Sequence, residues 1–320
     1  MVVGSATSLP VLVTSSVPQG SVLGASILFS LYINDLPDAI LAIKDVSIKL
    51  FADDAKLWAR SSDRQSLQLA LNSVSDWASV WQMRLAPHKC SVMIVGKSPN
   101  PPSFVLLDNP IIVESLTRDL GIMLCPSLKS AEHCRLVRSK AMRRSGMLLR
   151  CFSTRNVDLL KRAFVSYVRP LLENATPVWS PYSVHDIDTI EKPQRFFTRV
   201  IFKRCHLSYT DYRDRLRQLG LETLELRRIR NDLVMYYKIM HGLTPMDPNV
   251  FFDLKTDERT RGHAYKIKVP MFKSVIGHQS FNARRVSTWN SLSENIVSAN
   301  SVKEFVRLLN TSDTWINISV

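Results

Sequence analysis

Acidic residues are missing from the first 34 positions of this 320-residue chain; its earliest carboxylate is Asp35. That stretch therefore supplies no carboxylate ligand for a metal. Cysteine is sparse as well: Cys90, Cys125, Cys134, Cys151 and Cys205, an odd number without a Cys-x-x-Cys pair. Such spacing argues against a disulfide framework and for reduced thiols in a nuclear or cytoplasmic protein that is not secreted. His133-Cys134 and Cys205-His206 match no zinc-finger or knuckle spacing. Long apolar runs are lacking too. Residues 21–33 are uncharged and mostly apolar, but so short a stretch cannot span a bilayer, and nothing basic precedes it as in a secretory signal. There are no internal repeats and no low-complexity tract. The Asn-x-Ser/Thr sites at Asn174, Asn310 and Asn317 read as chance matches.

What is present fits a globular chain of two or three domains, with 45% hydrophobic and 22% charged residues. The formal net charge of +14 is unevenly spread. Residues 1–125 carry 9 Lys+Arg against 10 Asp+Glu, whereas residues 126–320 carry 33 against 18. A neutral front with an acidic focus and a basic back suit a metal-holding part joined to one that grips phosphates. A generic basic surface is the plainer alternative.

The acidic focus is Asp53-Asp54. Around it, Ile48, Leu50 and Ala52 alternate with Ser47, Lys49 and Phe51. The period of two predicts a pair of short strands over residues 46–60, each with one apolar face. The aspartates fall where the chain reverses, a position that short polar side chains favour. Two adjacent carboxylates repel each other and are stable only in water or beside a cation. Mg2+, a hard ion that takes carboxylate and phosphate oxygens, is the natural candidate.

Several further segments have recognisable form. Ser15-Ser16-Val17-Pro18-Gln19-Gly20-Ser21-Val22-Leu23-Gly24 enters a predicted helix over 21–34 with Leu23, Ile27, Leu28 and Leu31 on one face and Pro37 just beyond it. Residues 63–82 predict an amphipathic helix through Leu67, Leu71, Val74, Ala78 and Trp81, with Ser62-x-x-Gln65 as a capping box. Pro87-His88-Lys89-Cys90 leads into an expected strand over 91–96. A hairpin is expected around Asp108-Asn109-Pro110, and a last strand over Leu120-Gly121-Ile122-Met123-Leu124. Residues 126–162 hold ten Lys+Arg, among them Arg135, Arg138, Lys140, Arg143 and Arg144, beside an apolar stripe of Leu136, Ala141, Leu148 and Leu149. Further helices are expected at 157–171, 184–204 and 221–241, the last stopped by Gly242, and near 302–309. Few regular elements are expected over 243–275.

In this order, the Pro-Gln-Gly segment, Ala52-Asp53-Asp54, Trp77–Met83, Pro87–Cys90, Arg118-Asp119-Leu120-Gly121, Tyr167–Glu173 and Val178-Trp179-Ser180-Pro181 resemble the reverse transcriptase of non-LTR, LINE-type retrotransposons of the Jockey or CR1 style. The resemblance covers essentially the whole chain. It implies an α+β fold: a partial right-hand palm, an antiparallel sheet with helices, over 1–125; a basic helical thumb over 126–205; and a helical extension over 206–320. It implies an RNA-directed DNA polymerase that takes an RNA template, a DNA primer and deoxynucleotides. Asp53 and Asp54 would be Mg2+ ligands, Gln19 and Gly20 substrate contacts, and Arg135, Arg138, Lys140, Arg143 and Arg144 contacts to the nucleic-acid backbone. Lys89 would protonate the leaving pyrophosphate, or else be a solvated loop lysine. In the family a further metal-binding carboxylate precedes the Pro-Gln-Gly loop. No acid stands there in this sequence, so the chain is expected to lack the fingers and the first metal strand and to be inactive alone. The alternatives are a non-catalytic remnant that binds RNA or DNA and a product that folds poorly. Ser280–Arg285 and Trp289-Asn290 resemble the family's C-terminal extension and suggest no chemistry by themselves.

Overall fold

The computed structural model describes residues 2, 3, 5–7, 9, 24–60, 62–96, 101–255 and 262–312. Gln19, Gly20 and the strand expected at Val11–Val13 lie outside the described residues. Among those described, helices and several small sheets form an α+β structure that divides into two units, Met1–Ser115 and Leu116–Val320.

The first unit begins with a minimal hairpin of β1 (Val2–Val3) and β2 (Ala6–Thr7). A π-helical stretch, Gly24–Leu28, then runs into α1 (Phe29–Ile33). This corrects the apolar face expected for residues 21–34. Leu23 is outside the described residues, and Ile27, Leu28 and Leu31 are all exposed. A π turn holds more residues than an α turn, so spacings of three and four no longer fall on one side. Ile33 is buried instead, with Leu36 and Ile40 of the 3-10 turn that Pro37 helps to start.

Strands β3 (Val46–Phe51) and β4 (Asp54–Ala59) form the expected antiparallel hairpin. Val46, Ile48, Leu50 and Leu57 face inward, onto a cluster built from Ile33, Leu36, Ile40 and the α2 residues Ala70 and Val74. Helix α2 (Arg64–Val80) carries a second apolar row, Leu67 and Leu71, against Phe104, Leu106 and Ile111. The capping box does not form: Asp63 occupies the N-cap without a side-chain bond to the helix, and Ser62 donates to the Asp63 carboxylate at 2.9 Å instead. Trp77 packs inward, whereas Trp81 stays exposed and meets Tyr32 edge to face.

The strand expected over 91–96 is only β5 (Ser91–Val92), which pairs in parallel with β7 (Asn109–Val113). Strand β6 (Phe104–Leu106) lies antiparallel on the other side of β7. Leu107 and Asp108 make its two-residue turn, both with positive φ, as a type I′ reversal requires. Val105 sits opposite Pro110, which has no N–H to offer. The Gln68 side chain of α2 takes up the free Val105 backbone groups, accepting from its N–H at 2.9 Å and donating to its carbonyl at 2.8 Å.

The second unit opens with a hairpin of β8 (Thr117–Asp119) and β9 (Ile122–Leu124). Leu120 and Gly121, expected within a strand, are its turn and have positive φ. Ile122 packs into the helical core formed by α3 (Ala131–Cys151), α4 (Val157–Tyr167), α5 (Arg169–Glu173), α6 (Thr176–Trp179) and α7 (Val184–Arg204). The single helix expected over 157–171 breaks after Tyr167, because Pro170 cannot donate within a continuing helix and instead starts α5. Helices α8 (Tyr212–Leu219) and α9 (Leu224–Met240) follow. Gly242, with φ +64°, ends α9 as expected; the Leu243 N–H bonds Lys238 O and the Gly242 N–H bonds Ile239 O.

The short helices α10 (Pro248–Phe251), α11 (Val275–His278), α12 (Val286–Asn290) and α13 (Glu294–Val297) and the final α14 (Val302–Thr311) follow, and all of them but α11 join α9 in a second core. The motif near 280–290 is structural. Arg284 forks onto the buried Asp232 carboxylate at 2.7 and 2.8 Å and also donates to Pro177 O. Trp289 donates to Tyr265 O, and Asn290 binds both backbone groups of Ile267. Removing one partner of a buried ion pair leaves an uncompensated charge and costs about 3–5 kcal/mol. Asp232→Ala is therefore expected to destabilise the protein by about that amount in urea titrations, far more than Asp188→Ala on the surface.

His133 gives a pH signature. Its Nδ1 accepts from the Met123 N–H at 3.2 Å, its ring meets Trp179 edge to face, and it is almost fully buried. Burial, and then the Lys140 charge, pull its pKa down to about 4. An unfolded histidine takes up its proton near pH 6.5, well before the folded one. Its contribution is therefore complete above about pH 6.5 and is lost as the pH falls toward 4. The melting temperature should drop over that window, and less steeply in His133→Asn.

Candidate metal-binding hairpin and basic helix

The register of β3 and β4 sets the position of each candidate metal ligand. Phe51 pairs with Asp54, so Ala52 and Asp53 alone make the turn. Ala52 takes a left-handed backbone with φ +51°. Asp53 stands at the tip and Asp54 is the first residue of β4. Both are exposed. The turn thus leaves two neighbouring oxygen-donor residues in solvent, where a hydrated cation can reach them. Hard carboxylate oxygens at a solvent-facing site are a donor set that suits Mg2+. Among the described residues no group of three or more His, Cys, Asp or Glu gathers around a common point. Asp35 is engaged elsewhere in the unit, accepting from the Trp77 indole N–H at 3.1 Å.

Lys89 closes a short 3-10 turn, Pro87–Lys89, and is exposed. No ion pair joins it to either aspartate among the described residues. Gln19 and Gly20 are outside those residues.

In the second unit, α3 separates charge from core along its length. His133, Cys134, Val137, Ala141, Ser145, Leu148 and Leu149 are buried. Arg135, Arg138, Arg143 and Arg144 are exposed, and Lys140 is half-buried. Arg135 is partly neutralised by Glu132 at 2.7 Å, one turn away. Burial pushes the Cys134 thiol up to about 12, which keeps it protonated. The guanidinium of Arg204, at the end of α7, donates to the carbonyls of Leu149 and Phe152 and so satisfies the C-terminal turn of α3. The acidic turn and the basic helix belong to different units.

A feature that the sequence reading did not single out lies on α7. Lys192, Arg195, Arg199 and Lys203 recur at spacings of three and four on its outer side, a periodicity visible in the sequence itself. Lys192 and Arg195 pair with Asp188, so half of that row is compensated locally.

The chain thus combines an α+β unit bearing the exposed Asp53-Asp54 pair with a helical unit bearing the basic face of α3. The family model described as "Reverse transcriptase (RNA-dependent DNA polymerase)" matches residues 5–135. An uncharacterized protein of Caenorhabditis elegans is 33% identical over 132 residues, covering 41% of this chain and 67% of that protein. The RNA-directed DNA polymerase from the mobile element jockey of Drosophila melanogaster is 29% identical over 130 residues, covering 38% of this chain and 14% of that polymerase. No solved structure matches. The chain belongs to the reverse transcriptases of non-LTR retrotransposons. Its match to the jockey polymerase spans only a small part of that longer protein.

Because Asp53 and Asp54 are solvated and outside every core cluster, Asp53→Asn and Asp54→Asn should leave the melting temperature within about 1 °C of wild type, consistent with surface changes within ±0.5 kcal/mol. A large fall in calorimetry would show that the pair serves the fold.

Proposed function

We propose that this chain is part of an RNA-directed DNA polymerase in which Asp53 and Asp54 hold Mg2+ beneath nucleotide phosphates. The observation that carries the reading is the acidic two-residue turn of the β3–β4 hairpin, inside the segment that the family model covers. On this reading residues 1–125 are part of a palm, 126–205 a thumb that grips duplex through Arg135, Arg138, Lys140, Arg143 and Arg144, and 206–320 an extension that packs behind it. Template RNA, primer DNA and deoxynucleotides are the substrates, and Gln19 and Gly20 the candidate nucleotide contacts.

A bound cation would neutralise the charge that develops on the phosphoryl oxygens during nucleotidyl transfer. The chain's own part is positional. The fixed register keeps both carboxylates at one tip, and their mutual repulsion is relieved when a cation binds. Asp53, at the apex, is the more direct ligand. Lys89 is the candidate proton donor to the leaving pyrophosphate. The arginines of α3 hold the backbone without reading bases.

Two carboxylates are a thin donor set for a two-metal reaction, and no third ligand joins them among the described residues. This supports a second reading, in which the chain binds RNA or DNA without catalysing synthesis. Primer extension on an RNA template with Mg2+ separates the two. We expect no synthesis by this chain alone. Robust synthesis that Asp53→Ala abolishes would establish a working polymerase and overturn the expectation. In either case, the joint variant Arg138→Ala, Arg143→Ala and Arg144→Ala should flatten the salt dependence of RNA binding. The loss expected is about 2 in the logarithmic slope, from about 0.7 per phosphate contact on a single strand. An unchanged slope would remove α3 from the interface.

A further inference from the structure

In the second unit, Leu254 and Ile267 face each other in an isolated antiparallel bridge. Two backbone bonds hold this short ribbon: the Lys255 N–H donates to Lys266 O at 2.9 Å, and the Lys268 N–H donates to Asp253 O at 2.7 Å. Those bonds flank the bridge, so Leu254 and Ile267 turn their own backbone groups away from each other, toward the two outer edges. On one edge the Asn290 carboxamide closes the Ile267 groups, accepting from the N–H at 2.9 Å and donating to the carbonyl at 2.7 Å. On the other edge the Leu254 N–H and carbonyl have no partner among the described residues. Leu254 itself is only half-buried.

Both edges present the same pair, a donor and an acceptor side by side, and the closed one shows what satisfies it: an amide. A cavity of about 570 Å3 adjoins the ribbon, lined in part by Val250, Phe251, Leu254, Ile267 and Pro270. Val250, on α10, is 76% exposed. Lys268 and Asp253, also in the lining, form an exposed ion pair at 2.9 Å. An extended peptide supplies the amide pair from its own backbone, while its alternate side chains lie beside the edge, where an apolar one can enter the cavity. A small amide would bond the edge but leave the apolar wall in water. Residues 126–320 carry 33 Lys+Arg against 18 Asp+Glu, a balance that draws an acidic partner rather than a basic one.

We propose that the Leu254 edge takes an extended, acidic peptide of a partner protein, which adds a strand to the ribbon through two backbone bonds at Leu254 and places one apolar side chain in the cavity beside Val250. The backbone bonds set the register of the added strand, and the cavity selects its side chain. The site lies outside residues 5–135, which the reverse transcriptase model matches, and it uses neither Asp53 nor Asp54. It therefore stands or falls apart from the polymerase reading.

The test is fluorescence anisotropy with the full chain and a labelled, end-blocked peptide of sequence Glu-Thr-Glu-Val-Leu-Val-Thr-Glu-Thr, together with hydrogen exchange at the Leu254 amide. That amide should exchange fast in the free chain and become protected at saturating peptide. Leu254→Pro removes the outward N–H but none of the ribbon's own bonds, and should weaken binding about 5-fold, the weight of one hydrogen bond. Leu254→Val keeps the N–H and should bind nearly as wild type. Val250→Ser, a surface change that leaves melting unaltered, should weaken binding about 10-fold through the lost apolar contact. It keeps the proposal testable should Leu254→Pro fail to fold. A peptide with proline at its centre, or with lysine for each glutamate, should bind more weakly than the original. Asp53→Ala should leave peptide binding unchanged. No binding with peptide raised to about 1 mM would overturn the proposal, as would a Leu254 amide that still exchanges fast at saturation. So would protection that grows with protein concentration alone, which would assign the edge to a second copy of the chain.

Discussion

The strict two-residue period of the β3–β4 hairpin is the constraint on which the first unit depends. A shift of one residue in its register would send Ile48, Leu50 and Leu57 into solvent and turn Lys49 and Lys56 onto the cluster around Ile33 and Val74. The cost of burying those ammonium groups fixes the register. The register in turn leaves Ala52 and Asp53 as the only turn residues. The position of the two carboxylates is thus a by-product of core packing several residues away. The hydrophobic effect acts on one face of the hairpin and determines the chemistry shown on its tip and on the other face.

The second unit is organised differently. Its largest buried groups include charges. Asp232 sits between Arg284 and Arg285, and Glu191 accepts from the Leu224 backbone N–H and from Tyr212. Burial raises the pKa of Glu191, while its hydrogen bonds to Tyr212 and Leu224 oppose that shift. Asp232 and Glu191 are each held by partners far away in the chain. Such pairs add little net stability over a well-packed apolar core, but they penalise any helix packing that separates the partners. The helices of this unit carry many similar apolar stripes that could pack in several ways, and these pairs select among them.

How much of this was legible in the sequence depended on how local the cause was. The hairpin over 46–59, the helix over 184–204 and the stop at Gly242 follow from periodicity and a single glycine, and all three appear in the structure. The helix face through Ile27, Leu28 and Leu31 was misread because a π-helical start changes the count of residues per turn. The capping box at Ser62 failed because Asp63 competed for the same hydroxyl. The clamp of Gln68 on Val105, and the role of Arg284, were invisible, since each depends on a partner tens of residues distant or more. The candidate site was readable as residue types, an acidic doublet and a basic helix. Which of its residues make the turn became visible only once the pairing was known.

Arg284 ties three places together: its own loop, the Asp232 side chain on α9, and the Pro177 carbonyl on α6. A residue that bridges three segments so far apart in sequence makes their unfolding a shared event. Hydrogen exchange across α6, α9 and α12 should then be uniformly slow, with no segment opening ahead of the others. Arg284 is then expected to be among the least replaceable positions of the second unit, because the three segments it joins lose their common tie without it.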